Sequence, residues 1–512
     1  MASTTRNHDR QAWIPVLLAI GVSAIGFAFV VRTEGRWAEN DSALFTEAFR
    51  AIAHTARLTP PNGEVYSGGY LYQLLGAWLM AATGFDAAAL QQFVMPALLG
   101  LTLPAAWAAM HALTGSRAGA ALGSALLFAQ PEFLFVLLRS SHEKYSRVLF
   151  LLLLFWIAHA MRQRSAYATS AICCYLTLFA LIAANAFLAH SFTVALLIVL
   201  VLGWLVTRDT QIVRRVAYTL GISFGLVYLM MFVIYPTSGE LLRVVEGIMQ
   251  RLRLLFFAVD PGSTTPYAQV QSAWISLPVY LLLSLANWLT LAAGCGIWLV
   301  AAVRAVRGQL PEDPGERLML LLFTAFGIQG ALAIIADLSG AIGGNLQLRL
   351  LPSLAIIAVG LIARALTTWQ PQQRARVIAR VGQSVLAVLV VLAVLKATNE
   401  PLVSNKWVFY RPDELAALDW ADIHLGEGSV WTEFDDRLTA AYRTARGAAL
   451  DRERFTGFVP KVDTRTFLLS EVIVQRAARL QRPVPIDVDA HRVYDNGASQ
   501  LYRSRAHTIY QR

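Results

Sequence analysis

Four groups of ionisable side chains stand at the ends of long apolar runs in this sequence. They are Glu39-Asn40-Asp41, the stretch RSSHEKYSR over 139–147, His190 within NAFLAHS, and Arg349 within GGNLQLRLLP. Carboxylates, imidazoles and guanidinium groups are the side chains that accept protons and hold anions. Ionisable groups at membrane depth are costly, so those that occur there are functional candidates by default. Each group also has a plainer reading. Asp41 or Ser42 can simply cap a helix, and the charges of 139–147 can be a solvated loop face. Arg349 can extend to the interface along its own aliphatic stem. Whether the four can act together depends on which membrane face each occupies.

The membrane itself is written in the composition. Of 512 residues, 56% are apolar and only 15% charged, with mean hydropathy +0.51. Such a chain is a polytopic membrane protein. The net charge of +10 is carried by arginine, since Lys144, Lys396, Lys406 and Lys461 are the only lysines. Arginine in loops answers an anionic membrane leaflet. No stripe of basic and aromatic residues suggests nucleic acid as a partner. Cys173, Cys174 and Cys295 all lie in apolar runs, so neither a disulfide nor a zinc site is expected. Arg6 and Arg10 precede an apolar run that lacks a small-x-small cleavage site, which reads as an uncleaved first helix.

A span needs about twenty apolar residues. That rule places eleven spans, near 12–31, 91–112, 118–137, 147–161, 167–184, 187–206, 216–235, 277–303, 317–336, 350–367 and 381–398. The fourth is short and the eighth long. Arginine concentrates in alternate loops: Arg162 and Arg164; Arg208, Arg214 and Arg215; Arg304, Arg307 and Arg317; Arg374, Arg376 and Arg380. The positive-inside rule puts these loops and the N-terminus in the cytoplasm. Residues 399–512 then lie outside, as does the loop over 32–90. A connector of that length is usually functional.

Within that loop, SALFTEAFRAIAHTARL has Leu44, Phe45, Ala48, Phe49 and Ile52 at helical spacing, which predicts an interfacial helix starting near Asp41-Ser42. Glu47 falls on its expected solvated side. Gly115, Gly119 and Gly123, four apart, are expected to line one packing face of the third span. The tail is expected to be a small α/β domain. RPDELAALDWADI reads as a helix with apolar Leu415, Leu418 and Ile423, GSVWTEF as a strand and TRTFLLSEVIVQRAARL as a longer helix. Asn496-Gly497 reads as a hairpin turn. The tail contains no nucleophile elbow, phosphate loop or paired catalytic motif.

Taken together, the layout resembles a known class. An uncleaved first helix is followed by a long external loop that opens with Glu39-x-Asp41 and an amphipathic helix. VYSGGYLYQLLGAWLMAATG comes next, then about a dozen spans in all and an external tail. This is similar to the GT-C integral membrane glycosyltransferases, and within them to the protein O-mannosyltransferase-like and related prokaryotic enzymes. The ending RVYDNGASQLYR is similar to the tails of prokaryotic members. The tail lacks the WWDYG signature of oligosaccharyltransferases, which argues against transfer of a whole oligosaccharide to asparagine.

The resemblance implies an inverting hexosyl- or pentosyltransferase using a polyprenyl-phosphate sugar donor at the external face. The acceptor would be a hydroxyl of a glycan, lipid or protein. Asp41 would be the base and Glu39 would orient the acceptor. Either could hold a divalent cation, Mg or Mn. Arg349 would bind the donor phosphate, followed by Lys144, Arg139 and Arg147. His142, Glu143 and His190, with Tyr66 and Tyr70, would contact phosphate or sugar, Glu143 matching a second acidic position of the class. Three rivals fit the same composition: a transporter, an O-antigen-type polymerase or ligase, and a non-catalytic scaffold. A transporter should show inverted repeats or matched mid-span breaks, and neither is evident.

Overall fold

The computed structural model describes residues 2–33, 40–58, 70–139, 141–163, 167–218, 220–221, 277–338, 346–368, 375–403, 412–425, 430–431, 455–456, 466–470, 474 and 490–504. Glu39, Tyr66 and most of the expected seventh span lie outside them. The side chain of Asp41, though not its backbone, is also outside the description.

Apolar runs of this length must satisfy their backbone internally, and helices do so. α1 is Ala2–Thr33 and α2 the amphipathic Asn40–Thr55. α3 spans Tyr70–Thr83, and α4 is the long span Ala87–Thr114. The third expected span is not continuous. It comprises α5 (Arg117–Phe128) and α6 (Pro131–Leu138), bent by 74°. Pro131 cannot donate to the preceding turn, and the residue before a proline avoids the helical region. Gln130 is accordingly extended, at φ −85° and ψ 113°. Its side chain repairs the break, its Nε2 donating to the Leu126 carbonyl at 3.2 Å and to Thr290 Oγ1 at 2.8 Å.

The fourth span is full length rather than short: α7 runs Glu143–Arg162. α8 (Tyr167–Ala184) and α9 (Ala186–Leu202) follow. The long eighth span is interrupted at Ser284, giving α10 (Leu277–Leu283) and α11 (Leu285–Val306). α12 (Pro314–Leu338), α13 (Leu346–Thr368) and α14 (Ala375–Val403) complete the bundle. Among the described residues nine helices are long and apolar enough to cross a membrane, or ten with the bent pair. The chain is a multi-pass membrane protein.

Side-chain bonds show which helix ends share a face. Arg32 donates to Asn399 Oδ1 at 2.6 Å, so α1 and α14 finish together. At the opposite face Arg162 grips both Asp313 oxygens, at 2.7 and 2.8 Å, and the Leu113 carbonyl. Arg364 reaches the Thr114 carbonyl at 3.0 Å. These arginines satisfy carbonyls that the end of α4 leaves open. Burial opposes ionisation of Asp313, but Arg162, the Glu316 amide and Arg364 outweigh it and hold its carboxyl below the usual range. The glycine stripe is corrected in one position. Gly115 ends α4 in the left-handed region at φ +72°, while Gly119 and Gly123 do pack closely, against Thr114 and Met110. The bundle core includes Phe150, in edge contact with Phe192 at 5.3 Å.

In the tail, α15 (Pro412–His424) packs Ala417, Leu418 and Ala421 on a mixed sheet of order β2-β1-β3-β5-β4. Ile423 points outward, 69% exposed. The strands are β1 (Val430–Trp431), β2 (Phe455–Thr456), β3 (Thr466–Ser470), β4 (Ala490–Asp495) and β5 (Ser499–Ser504). TFLLS is therefore strand, not helix. β3 lies between β1 and β5 with Phe467 and Leu468 buried, and a central strand reads as an unbroken apolar run that periodicity cannot separate from helix. The remainder of that expected helix falls mostly outside the described residues. The hairpin turns at Asn496-Gly497, with Gly497 at φ +90°.

The helix ends predict a labelling pattern. In a cysteine-free background, His491→Cys in β4 and Gln309→Cys, in the exposed loop before α12, should react with an impermeant maleimide from opposite sides. His491→Cys should react on intact cells. Labelling of both from one side contradicts this map.

Candidate active site at the α6–α7 junction

The 139–147 stretch turns the corner from α6 into α7. Arg139 caps α6 in extended conformation and forms an ion pair with Glu143, in the first turn of α7. Arg147 is four residues further along the same face, so Glu143 stands between two guanidinium groups at helical spacing. Arg147 is buried, and its Nη1 donates to Ser353 Oγ at 3.3 Å. Ser353 belongs to α13, one turn after Arg349. The exposed Arg349 guanidinium lies 5.8 Å from the Phe187 ring centroid, at the start of α9.

Asn185 closes the ring. Its Oδ1 caps α9 by accepting from the Leu188 amide at 3.0 Å, and its Nδ2 lies 3.3 Å from His142 Nε2. An amide nitrogen only donates, so Nε2 is the acceptor and the neutral ring carries its proton on Nδ1. Burial drives His142 down to about 4; Glu143 opposes this, while Arg139 and Arg349 reinforce it. The imidazole is thus a neutral hydrogen-bonding group beside several cations. The starts of three helices meet here, running from buried His142 and Arg147 out to exposed Arg349.

α2 covers this corner. Phe45 packs 5.3 Å from the His142 ring and 5.0 Å from Tyr72, with Phe49 and Tyr145 against the other sides of Tyr72 at 5.2 and 5.4 Å. Phe45, Ala48, Phe49 and Ile52 are all buried, as their spacing predicts. Arg50 grips both oxygens of Asp86, just ahead of α4, at 2.9 Å. Burial of Asp86 works against its charge, yet the Ala88 amide and Arg50 keep its carboxyl below the usual range. α2 begins at Asn40, so Asp41 is in its first turn rather than at the cap. Glu47 is half-buried rather than solvated.

The expected residues therefore divide. Arg139, His142, Glu143, Arg147 and Arg349 come together, and Lys144 is buried in the same turn of α7. His190 bonds its ring to the Ala186 carbonyl of its own helix, and no described contact joins it to the cluster. Tyr70 is buried at the start of α3, whereas Tyr72 is the tyrosine placed against Phe45 and Tyr145. Asn185, Phe187 and Ser353 were not anticipated. Asn185 carries a readable signal, a cap-forming residue between two apolar runs. Among the described residues no three His, Cys, Asp or Glu side chains gather to hold a metal.

No protein-family model and no curated protein matches this sequence. Solved structures do. The archaeal oligosaccharyltransferase AglB from Archaeoglobus fulgidus, in complex with an inhibitory peptide and a dolichol-phosphate, superposes with TM-score 0.55. It is 11% identical, over 96% of this chain and 75% of that one. The chain has the GT-C glycosyltransferase fold. A second structure of the Archaeoglobus fulgidus oligosaccharyltransferase, tethered with an acceptor peptide, gives TM-score 0.52 at 10% identity, over 96% and 75% of the two chains. ArnT from Cupriavidus metallidurans, bound to undecaprenyl phosphate, aligns at TM-score 0.43 and 15% identity, over 96% and 98%.

His142 generates a pH prediction. Its folded-state value is about 4 against 6.5 for the free side chain, so the unfolded chain takes up its proton first as pH falls. Stability is lost between pH 6.5 and about 4, by about 3 kcal/mol at most, and is unaffected above that window. The melting temperature of wild type should fall further between pH 7 and pH 4 than that of His142→Asn. Parallel falls contradict the assignment.

Proposed function

We propose that this protein is a polytopic membrane glycosyltransferase that moves a single sugar from a polyprenyl-phosphate donor to an acceptor hydroxyl. The observation that carries the reading is the convergence of Arg139, Arg147 and Arg349 with neutral His142 and Asn185 beneath α2, at the membrane face where α1 and α14 end. The GT-C fold supports it, and AglB was solved with a dolichol-phosphate. The arginine-rich loops at the opposite face support an external site, a cytoplasmic N-terminus and a place in a cell inner or plasma membrane. Residues 1–398 form the catalytic transmembrane unit, including the loop 32–90, and residues 399–512 an external domain. The acceptor is a glycan, lipid or protein, and the protein O-mannosyltransferase-like group is the nearest guide to its chemistry.

Among the described residues Arg139, Arg147 and Arg349 act on Glu143, and in this reading their guanidinium groups receive the donor phosphate. Arginine forks suit phosphate oxygens, and the exposed Arg349 meets the headgroup first. The sugar lies between that phosphate and the first turn of α2. The acceptor oxygen attacks the anomeric carbon as the bond to the phosphate oxygen breaks, and the polyprenyl phosphate leaves as a stabilised anion. A single displacement inverts the anomeric centre. Asp41 takes the hydroxyl proton. Glu39 orients the acceptor. His142 offers Nδ1–H to a sugar or phosphate oxygen. Glu143 keeps two arginines in place rather than touching substrate. No step is assigned to a divalent cation.

The test is sugar release from a polyprenyl-phosphate sugar by purified protein. Asp41→Asn keeps size and hydrogen bonding, so its melting temperature should remain near wild type while turnover falls about a hundred- to ten-thousand-fold. Near-wild-type turnover would remove Asp41 from the chemistry and leave α2 as a covering helix only.

A further inference from the structure

α4 does not begin as a regular helix. Over Leu90–Val94 it widens into a π turn, a feature frequent at functional sites. Gln91 lies in that turn and is fully buried. Its Nε2 donates to the Ser42 carbonyl at 3.3 Å and to Thr46 Oγ1 at 3.4 Å, and Thr46 Oγ1 donates to the same Ser42 carbonyl at 2.8 Å. The Tyr72 hydroxyl donates to Gln91 Oε1. That last bond fixes which way the amide faces, because an oxygen that accepts from tyrosine leaves the NH2 directed at α2.

We propose that Gln91, oriented by Tyr72, is a positioning residue that sets the first turn of α2, and through it Asp41, over the site. The inference rests on the proposed role of Asp41. A buried amide among Phe45, Phe49, Tyr72 and Met95 is costly unless it is bonded. Attachment of α2 does not require it, since Phe45, Phe49 and the Arg50–Asp86 pair already hold the helix down. What Gln91 adds is a directional bond to the carbonyl one residue after Asp41. Packing of Phe45 and Phe49 sets the buried face of α2, and the bond to the Ser42 carbonyl adds a directional constraint at its first turn. A general base misplaced by about 1 Å can lose on the order of a hundredfold in rate.

The experiment is a double-mutant cycle on purified protein, read as sugar release from a polyprenyl-phosphate sugar. Gln91→Leu should lower kcat about tenfold to a hundredfold, leave KM for the donor within about twofold, and leave the melting temperature close to wild type. Placed on Asp41→Asn, the same change should cost nothing further, because Gln91 acts through the group already removed. Tyr72→Phe, which keeps the ring packing, should reproduce part of the loss and add nothing to Gln91→Leu. Where Gln91→Leu fails to fold, Tyr72→Phe carries the cycle alone. Equal losses in the wild-type and Asp41→Asn backgrounds, or no loss in either, overturn the positioning role while leaving Asp41 as base. Near-wild-type turnover of Asp41→Asn removes the base assignment and this inference with it.

Discussion

A carboxylate between two arginines at the mouth of an apolar bundle is the constraint from which the rest of the site follows. Arg139 and Arg147 are largely withdrawn from water, and Glu143 between them offsets the cost of burying their charge. Removing one member of such a buried set typically costs about 3–5 kcal/mol, because the remaining charge is stranded. The set works only if three positions four residues apart fall on one face across a chain reversal. That requires α6 to end at Arg139 and α7 to start within a few residues. The break at Pro131 meets this need. By turning α6 through 74° from α5, it delivers Arg139 to the start of α7.

The same corner governs what lies above and beside it. Neutral His142 can be buried against Phe45 because its charge is suppressed by burial and by neighbouring guanidinium groups. Asn185 serves two structures at once, capping α9 and fixing the imidazole tautomer. At the far face, Arg162 and Arg364 fasten the end of α4 to the start of α12 through backbone carbonyls and Asp313. The helices carrying the site are thereby pinned at the end away from it.

Much of this was legible from residue types and spacing. Long apolar runs located the described spans, and the Phe45, Ala48, Phe49, Ile52 spacing located α2 with its buried face. RSSHEKYSR and Arg349 marked the cluster because charge there is expensive. The broken third span was readable in principle from Gln130-Pro131, but hydropathy averages over a single proline. β3 was misread as helix because a strand buried on both sides has no alternation to detect. Asn185, Ser353 and the Gln91–Tyr72 pair were missed for a common reason. Their roles come from contacts across 19 to 206 positions of sequence, or from a local π turn that no propensity announces.

In the proposed reaction this corner receives a lipid-linked phosphate. The most direct test is equilibrium binding of polyprenyl phosphate to the purified protein in lipid nanodiscs, for wild type and Arg349→Gln, with neutral polyprenol as control. Arg349 is exposed at the rim, so its loss should leave the fold intact. A lost charge-assisted bond weakens binding about tenfold or more. That loss is expected for the phosphate, together with an affinity that falls with added salt and indifferent binding of polyprenol by both proteins. Equal affinity of wild type and Arg349→Gln for the phosphate, or polyprenol held as tightly as its phosphate, contradicts that reading.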